Sequence, residues 1–387
     1  MSRLNELIDK YCPHGVKYIR LGDCCEFKRG DTITKKEIIQ GNIPVIAGGK
    51  QPAYFHNTYN RIGESITVSS SGAYAGHVMY WNTPIFVSDA FTVHPNKDLM
   101  VKYVYYFLKK NQTTIYSFKK GGGVPHVHGS DIANLKIPIP PLEVQCEIVR
   151  ILDNFAELTA ELTAELTAEL TARRKQYEYY RDLLLTFGDE VPRVAIDDLF
   201  NIRNGYTPSK SNKEYWENGV IPWFRMEDIR ENGRILSNAL QYVSINAVKG
   251  RPFPANSIII STSATIGEHA LIQTEFLANQ RFTILSLKNE YQDVNIKYLF
   301  YYCYILGEWC KNNLTLGHFA SVDMVAFKKF RIPLPPLKEQ ERIVAILDRF
   351  GALCKDLTSG IPAEIEARQK QYEYYRDKLL SFKEVTG

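Results

Sequence analysis

An α+β fold is predicted for this 387-residue chain: two mixed, β-rich domains separated by two long antiparallel helices, with a pseudo-two-fold internal repeat. Three observations predict it. Residues 135–155 read LKIPIPPLEVQCEIVRILDNF, and residues 330–350 read FRIPLPPLKEQERIVAILDRF. Lys175–Asp182 and Lys370–Asp377 are the same octapeptide, KQYEYYRD, at the same offset. Between block and octapeptide, the first copy carries a tandem tetrapeptide of helix-forming residues. Self-similarity at a fixed offset marks a duplicated structural unit.

Each copy also opens on a fainter echo. Leu21–Gly30 (LGDCCEFKRG) lies beside Ile196–Gly205 (IDDLFNIRNG), each ending in a basic stretch and a glycine. From there to the Pro-Pro block the halves differ almost completely. Each half is therefore a variable region of ~150 residues followed by a constant segment of about 45. The boundaries that follow are 1–141, a first mixed domain; 142–187, a central helix; 188–336, a second mixed domain; and 337–387, a second helical segment.

Within the variable regions, Ser65–Ser69, Ile85–Ser88, Ser257–Ser261 and Phe282–Leu287 are short β-branched and aromatic runs bounded by Gly, Pro or Asn, which reads as strand. Pro140-Pro141 and Pro335-Pro336 suit an extended lead-in and first helical turn. After them, Leu142, Cys146, Val149 and Leu152-Asp153 follow helical spacing, as do Leu337, Ile343, Ile346-Leu347 and Phe350. The unit Thr-Ala-Glu-Leu then recurs at 159–162, 163–166 and 167–170. Leu158, Leu162, Leu166 and Leu170 form one apolar stripe, a spacer seam that calls for a partner helix. The bland alternative is a surface helix lengthened by repeat slippage. The equivalent span of the second copy has the same length but contains the helix-breaking residues Ser359-Gly360-Ile361-Pro362, which leave open whether its helix is continuous.

Apolar residues make up 45% and charged residues 23% of the chain, the balance of a soluble globular protein. The N-terminal MSRLNELIDKYC mixes charges among leucines, unlike a secretory signal, and no apolar run approaches the ~20 residues of a membrane span. A cytoplasmic location is expected. The seven cysteines show no metal-ligand spacing and are expected to be reduced and structural. The net charge of +4 is too small to identify a nucleic-acid partner by itself, because a basic footprint depends on distribution.

Two unlike domains, each followed by IPxPPLxxQxxIVxxLDxF and a long helix, resemble the specificity subunits of type I restriction-modification systems over essentially the whole chain. The tandem TAEL repeats resemble the type IC branch. The resemblance implies two target-recognition domains, each reading one half of a split, asymmetric site on double-stranded DNA. It also implies a non-catalytic subunit whose helical segments bind two methyltransferase subunits, and through them restriction subunits. S-adenosylmethionine, ATP and Mg would then be needed only on those partners, and no cofactor or metal on this chain.

The motifs that are missing agree. Neither Pro-Pro pair belongs to an Asn/Asp-Pro-Pro-Tyr/Phe methyltransferase motif, since both are followed by Leu, and no GxxxxGK[ST] loop occurs. His126 and His128 resemble a metal pair but lack a third ligand, and read better as polar loop residues near DNA. A stand-alone bipartite DNA-binding regulator and a protein-only coiled-coil scaffold are the alternatives. Unlike domains on a constant frame oppose the scaffold, and large constant surfaces oppose the regulator.

Base reading needs Arg, Asn, Gln, Lys or His at a groove, and phosphate contact needs cations or small polar groups. Candidate DNA contacts in the first half are Lys28, Arg29, Lys50, Gln51, Ser70, Ser71, Tyr74, Lys119 and Lys120. In the second half they are Arg203, Asn204, Arg225, Arg230, Thr265, His269, Gln280, Arg281 and His318. Ordinary solvated turns, and arginines paired with acids such as Glu227 or Asp228, are the bland alternative. In the octapeptides, Tyr177, Tyr180, Arg181, Tyr372, Tyr375 and Arg376 are candidates for docking two identical protein partners.

Overall fold

A computed structural model describes residues 3–315 and 320–385. The chain forms two compact units, one of Met1–Ala168 with Gly360–Gly387 and one of Glu169–Ser359. Both follow one plan.

In the first unit the strands Cys25–Arg29, Ala90–Pro95, Ser65–Ser69 and Val78–Trp81 form an antiparallel sheet in that order. A smaller sheet places Ile43–Ile46 between Tyr54–His56, antiparallel, and Phe86–Val87, parallel. The second unit repeats this with Phe200–Asn204, Phe282–Leu287, Ser257–Ser261 and His269–Ile272, then adds Ile235–Leu236 at the edge. Its smaller sheet sets Ile221–Phe224 between Tyr242–Val243 and Leu277–Ala278 with the same strand senses. Ser65–Ser69 and Ser257–Ser261 are buried at every residue, because helix and sheet neighbours cover both faces. Covered faces explain why SIIIS carries no polar alternation.

One helix in each unit ties this sheet to the constant segment: Val101–Lys110 in the first, Ile296–Asn312 in the second. The seam is the same twice. Asp153 accepts from Lys102 Nζ and Tyr106 Oη, each at 2.6 Å, and Asp348 accepts from Lys297 Nζ and Tyr301 Oη, each at 2.7 Å. Tyr103 Oη donates to Pro138 O at 3.1 Å, and Tyr298 Oη to Pro333 O at 2.8 Å. Gln145 is fully buried and makes three bonds, accepting from Met100 N and donating to Asp98 O and Pro140 O. Gln340 makes the matching bonds to Asn295 N and Pro335 O. The Gln of the repeated block is thus a buried connector, and its Asp a half-buried one.

The constant segments form helices Leu142–Leu184 and Leu337–Leu379, each of 43 residues and roughly 65 Å long at 1.5 Å per residue. Both begin directly after the Pro-Pro pairs, as expected. The buried stripe is shifted from the predicted one. Val144, Ile148, Val149 and Leu152 face the first core, whereas Leu142 and Cys146 are exposed. Leu337 is likewise exposed, while Ile343, Val344 and Leu347 are buried. The second helix is continuous through Ser359–Pro362, with Pro362 inside it. Proline removes one amide donor and crowds one carbonyl, a local penalty that the rest of the helix outweighs.

In the first unit the start of one long helix packs on the end of the other, with the Phe155 and Tyr375 rings 5.8 Å apart. In the second unit the roles exchange, with Tyr180 and Phe350 6.1 Å apart. Along the TAEL stretch Leu162, Leu166 and Leu170 are half-buried, but Leu158 is 62% exposed and is no part of a packed seam.

Candidate nucleic-acid interface

Strand Cys25–Arg29 ends at Gly30, whose Cβ, if present, would lie 2.4 Å from Ser88 O, so only glycine lets the chain cross there. This delivers Arg29 to a cleft of ≈ 580 Å³ that is also lined by Ser70, Asp89, Phe91, His126 and His128. Four loops meet around it. Ser71 Oγ donates to Asp89, and the backbone of Gly72 bonds Pro125. Lys120 pairs with His126 through both backbone bonds and sends its ammonium to Asp131 at 2.9 Å. Lys119 Nζ donates to Ala73 O, and Lys50 Nζ lies 4.9 Å from the Tyr74 ring centroid. Of the predicted contacts, Arg29, Lys50, Ser70, Ser71, Tyr74, Lys119 and Lys120 therefore share one loop cluster, with Gln51 exposed beside Lys50. Lys28 is exposed one residue before Arg29, which places it on the opposite face of the strand. Below the cluster His77 bonds Tyr116 Oη, and burial, helped by nearby Lys109 and Lys50, lowers its pKa to about 4. His126 and His128 stack with 8° between rings. Among the described residues no three His, Cys, Asp or Glu side chains are arranged to hold a metal ion.

The second unit presents different groups at matching strand ends. Arg203 lies over Phe253 at 4.7 Å, and Asn204 accepts from Thr283. Gln280 accepts from Thr207 Oγ1, and Arg281 is exposed next to it. Arg225 lies over Trp223 in a separate cleft, and Arg230 and Thr265 line a third with Arg234 and Lys311. His269 is a correction. It starts a core strand, is 1% exposed, and packs between Phe300 and Tyr304, so it cannot reach a groove. Burial, then Arg234, lowers its pKa to about 3. The similarity of SSSGAYAGH to STSATIGEH is real as a hairpin connection, each closing on a left-handed glycine, Gly76 or Gly267. The alignment simply carries its histidine past the loop. His318 lies outside the described residues.

The octapeptides need a second correction. Arg181 packs on Tyr304 at 4.3 Å and pairs with Asp182, and Arg376 is buried near Tyr372 and pairs with Asp377. Tyr177 and Tyr372 join the hydrophobic cores. Positions four apart on a helix share a face, and this face turns inward. Tyr177, Arg181, Tyr372 and Arg376 are therefore internal packing groups. Tyr180 and Tyr375 remain exposed at the edge, and Tyr179 and Tyr374, at 64% and 62%, are the outward residues.

A model of the type I restriction modification DNA specificity domain matches residues 13–172 and again residues 189–367. The chain belongs to the type I restriction-modification specificity-subunit family. It is 60% identical to the EcoprrI specificity subunit of Escherichia coli over 206 residues, which is 51% of either chain, so this match spans about half of that relative. Identity is 40% to the EcoR124I/EcoR124II specificity subunit of Escherichia coli, covering 74% of this chain and 72% of that one. A putative specificity subunit of Haemophilus influenzae is 32% identical over 89% of both chains. Two solved structures share the fold at 18% identity. One, from work on complex assembly and conformational transition of the type I restriction-modification system, has a TM-score of 0.71 and covers 95% of this chain and 98% of that one. The other, the HsdS subunit from Thermoanaerobacter tengcongensis, has a TM-score of 0.56 and covers 95% and 97%. Curated family members carry the name of specificity subunits, not of the catalytic ones. No helix among the described residues is long and apolar enough to cross a membrane.

Proposed function

We propose that this family member reads a bipartite, asymmetric DNA sequence in the cytoplasm and directs methyltransferase and restriction subunits to it. One observation carries the reading: two units of the same plan present unlike polar groups at equivalent strand ends, Arg29 with Ser70 in one and Arg203, Asn204, Gln280 and Arg281 in the other. Equal scaffolds with unequal tips suit two different half-sites joined in one chain, with an unspecified gap of roughly six to eight base pairs between them. Chemistry, with its S-adenosylmethionine, ATP and Mg, belongs to the partners, and this chain needs no cofactor of its own.

Two identical partners are matched by a duplicated exposed patch. Phe155, Leu158, Tyr374 and Tyr375 form it in the first unit, and Leu353, Tyr179 and Tyr180, beside half-buried Phe350, in the second. Aromatic groups exposed in the same pattern on both units are what two copies of one protein would bury.

The test exchanges residues 21–134 for the matching region of a relative and sequences the methylome of cells expressing the hybrid with its methyltransferase. Change in one half of the methylated motif is expected. Change in both halves, or none, overturns the reading.

A further inference from the structure

We propose that the cleft formed by Lys210, Lys213, Trp216, Trp223 and Arg225 is a seat for a backbone phosphate of the DNA held by the second unit. The proposal rests on the reading that this chain binds duplex DNA. The cleft has a volume of ≈ 450 Å³, and its remaining lining is Glu217 and Gln241, so three cations face one carboxylate. Neither lysine forms an ion pair among the described residues.

Arg225 is the decisive residue. Its Nε is buried without a hydrogen-bond partner. The nearest acids do not supply one: Glu227 and Asp228 each lie 4.0 Å from it. Asp228 is wholly buried, and its two oxygens accept from the backbone amides of Arg225 and Leu240 at 2.7 and 2.6 Å. Its carboxylate is thus spent on shaping the turn. The rest of the guanidinium, on a side chain 28% exposed, faces the cleft, where an acceptor arriving with a ligand can meet it while the buried Nε stays without a hydrogen bond.

The walls define which acceptor. Trp216 stands edge-on to Trp223, with centroids 5.0 Å apart at 81°. Both indole N–H groups are committed, to Ser209 O and Tyr206 O. The rings therefore contribute shape and a stacking surface for the guanidinium, with no donor to spare. Base edges mix donors with acceptors, and only guanine sets two acceptors side by side in the major groove. A phosphate presents acceptors only, and a planar guanidinium with two mobile ammonium groups matches it. Such contacts fix register on the duplex without carrying sequence information.

The test uses the full chain assembled with its methyltransferase, and two duplex oligonucleotides, one carrying the sequence methylated in cells and one scrambled. Affinities are measured across NaCl concentrations for wild type and for the Lys210→Ala, Lys213→Ala double variant, whose exposed lysines are dispensable for folding. Losing this one phosphate contact should lower the slope of log affinity against log salt by about 0.9. Affinity should fall on both duplexes by the same factor, about tenfold or more near 0.1 M salt, with the methylated sequence unchanged. An unchanged slope overturns the proposal. A changed methylated half-site overturns it too, since the cleft would then read bases. So does tryptophan quenching by pyrophosphate or ATP without any effect on DNA, which would assign the cleft to a free nucleotide. If the wild-type complex binds neither duplex in a salt-dependent way, the DNA reading itself has failed.

Discussion

Replacing Gln145 with Ala should loosen the first recognition unit from its helix far more than its small change in volume suggests. Its amide oxygen and nitrogen serve three backbone groups, Met100 N at 2.9 Å and Asp98 O and Pro140 O at 2.8 Å. Pro140 O is buried, so losing its donor exposes it to the full penalty of about 1–3 kcal/mol for an unpaired buried group. The other two are partly reachable by water and cost nearer 1 kcal/mol each. The sum is about 3–5 kcal/mol, or roughly 10² to 10³·⁵ in an opening equilibrium. A protein of two units need not unfold in one step. The assay is therefore amide hydrogen exchange of residues 98–110 under native conditions, where protection should fall by that factor. The second unit should be unaffected, and Gln340→Ala, with two bonds to lose, should act there by a smaller factor. Less than a tenfold loss of protection, or equal loss in both units, would refute the reasoning.

Other consequences can be checked independently. Deleting Thr163–Leu166 shortens the first long helix by ~6 Å and about 40° of rotation, and should shorten the unspecified DNA gap by roughly one base pair; a methylome with an unchanged gap refutes this. Arg181→Glu and Arg376→Glu should each destabilise their own unit, because the guanidinium is buried, whereas Tyr179→Ala with Tyr374→Ala should change stability by no more than about 0.5 kcal/mol yet weaken assembly with methyltransferase in native mass spectrometry. His269, with its pKa lowered to about 3, favours the folded state only while neutral. Its contribution is complete above the ordinary histidine pKa of about 6.5 and is lost as pH falls from there toward 3. The stability of wild type should therefore decline more steeply between pH 7 and 4 than that of His269→Phe, and parallel curves would contradict it.

The frame was legible because the chain repeats it. The Pro-Pro entries, the strands SITVS and SIIIS and the octapeptide pairs all lie where composition and periodicity put them. Periodicity alone misjudged facing: Leu142 and Leu337 continue the apolar pattern but sit where the helix has just left the core. It also missed the most exact part of the repeat. Lys102-Tyr103 with Tyr106, and Lys297-Tyr298 with Tyr301, stand at the same offset as the octapeptides. They were camouflaged because the residues around them differ. The interface was less readable still. Arginine in a sequence gives no sign of whether it meets solvent, like Arg281, or an aromatic ring inside, like Arg181. Only packing decides that.

The doubled seam of Gln, Asp, Lys and Tyr has an evolutionary consequence. The Gln, Asp, Lys and Tyr groups of this seam are the same in both halves, so a gene segment ending at these codons brings these fastenings wherever it lands. Recombination that joins one half to the corresponding half of a cousin leaves these seam bonds intact at the join. New pairings of half-sites can thus arise in a single crossover, without a period of poor folding in between. Selection on such a lineage acts on the tips of the strands, while the joint is inherited intact.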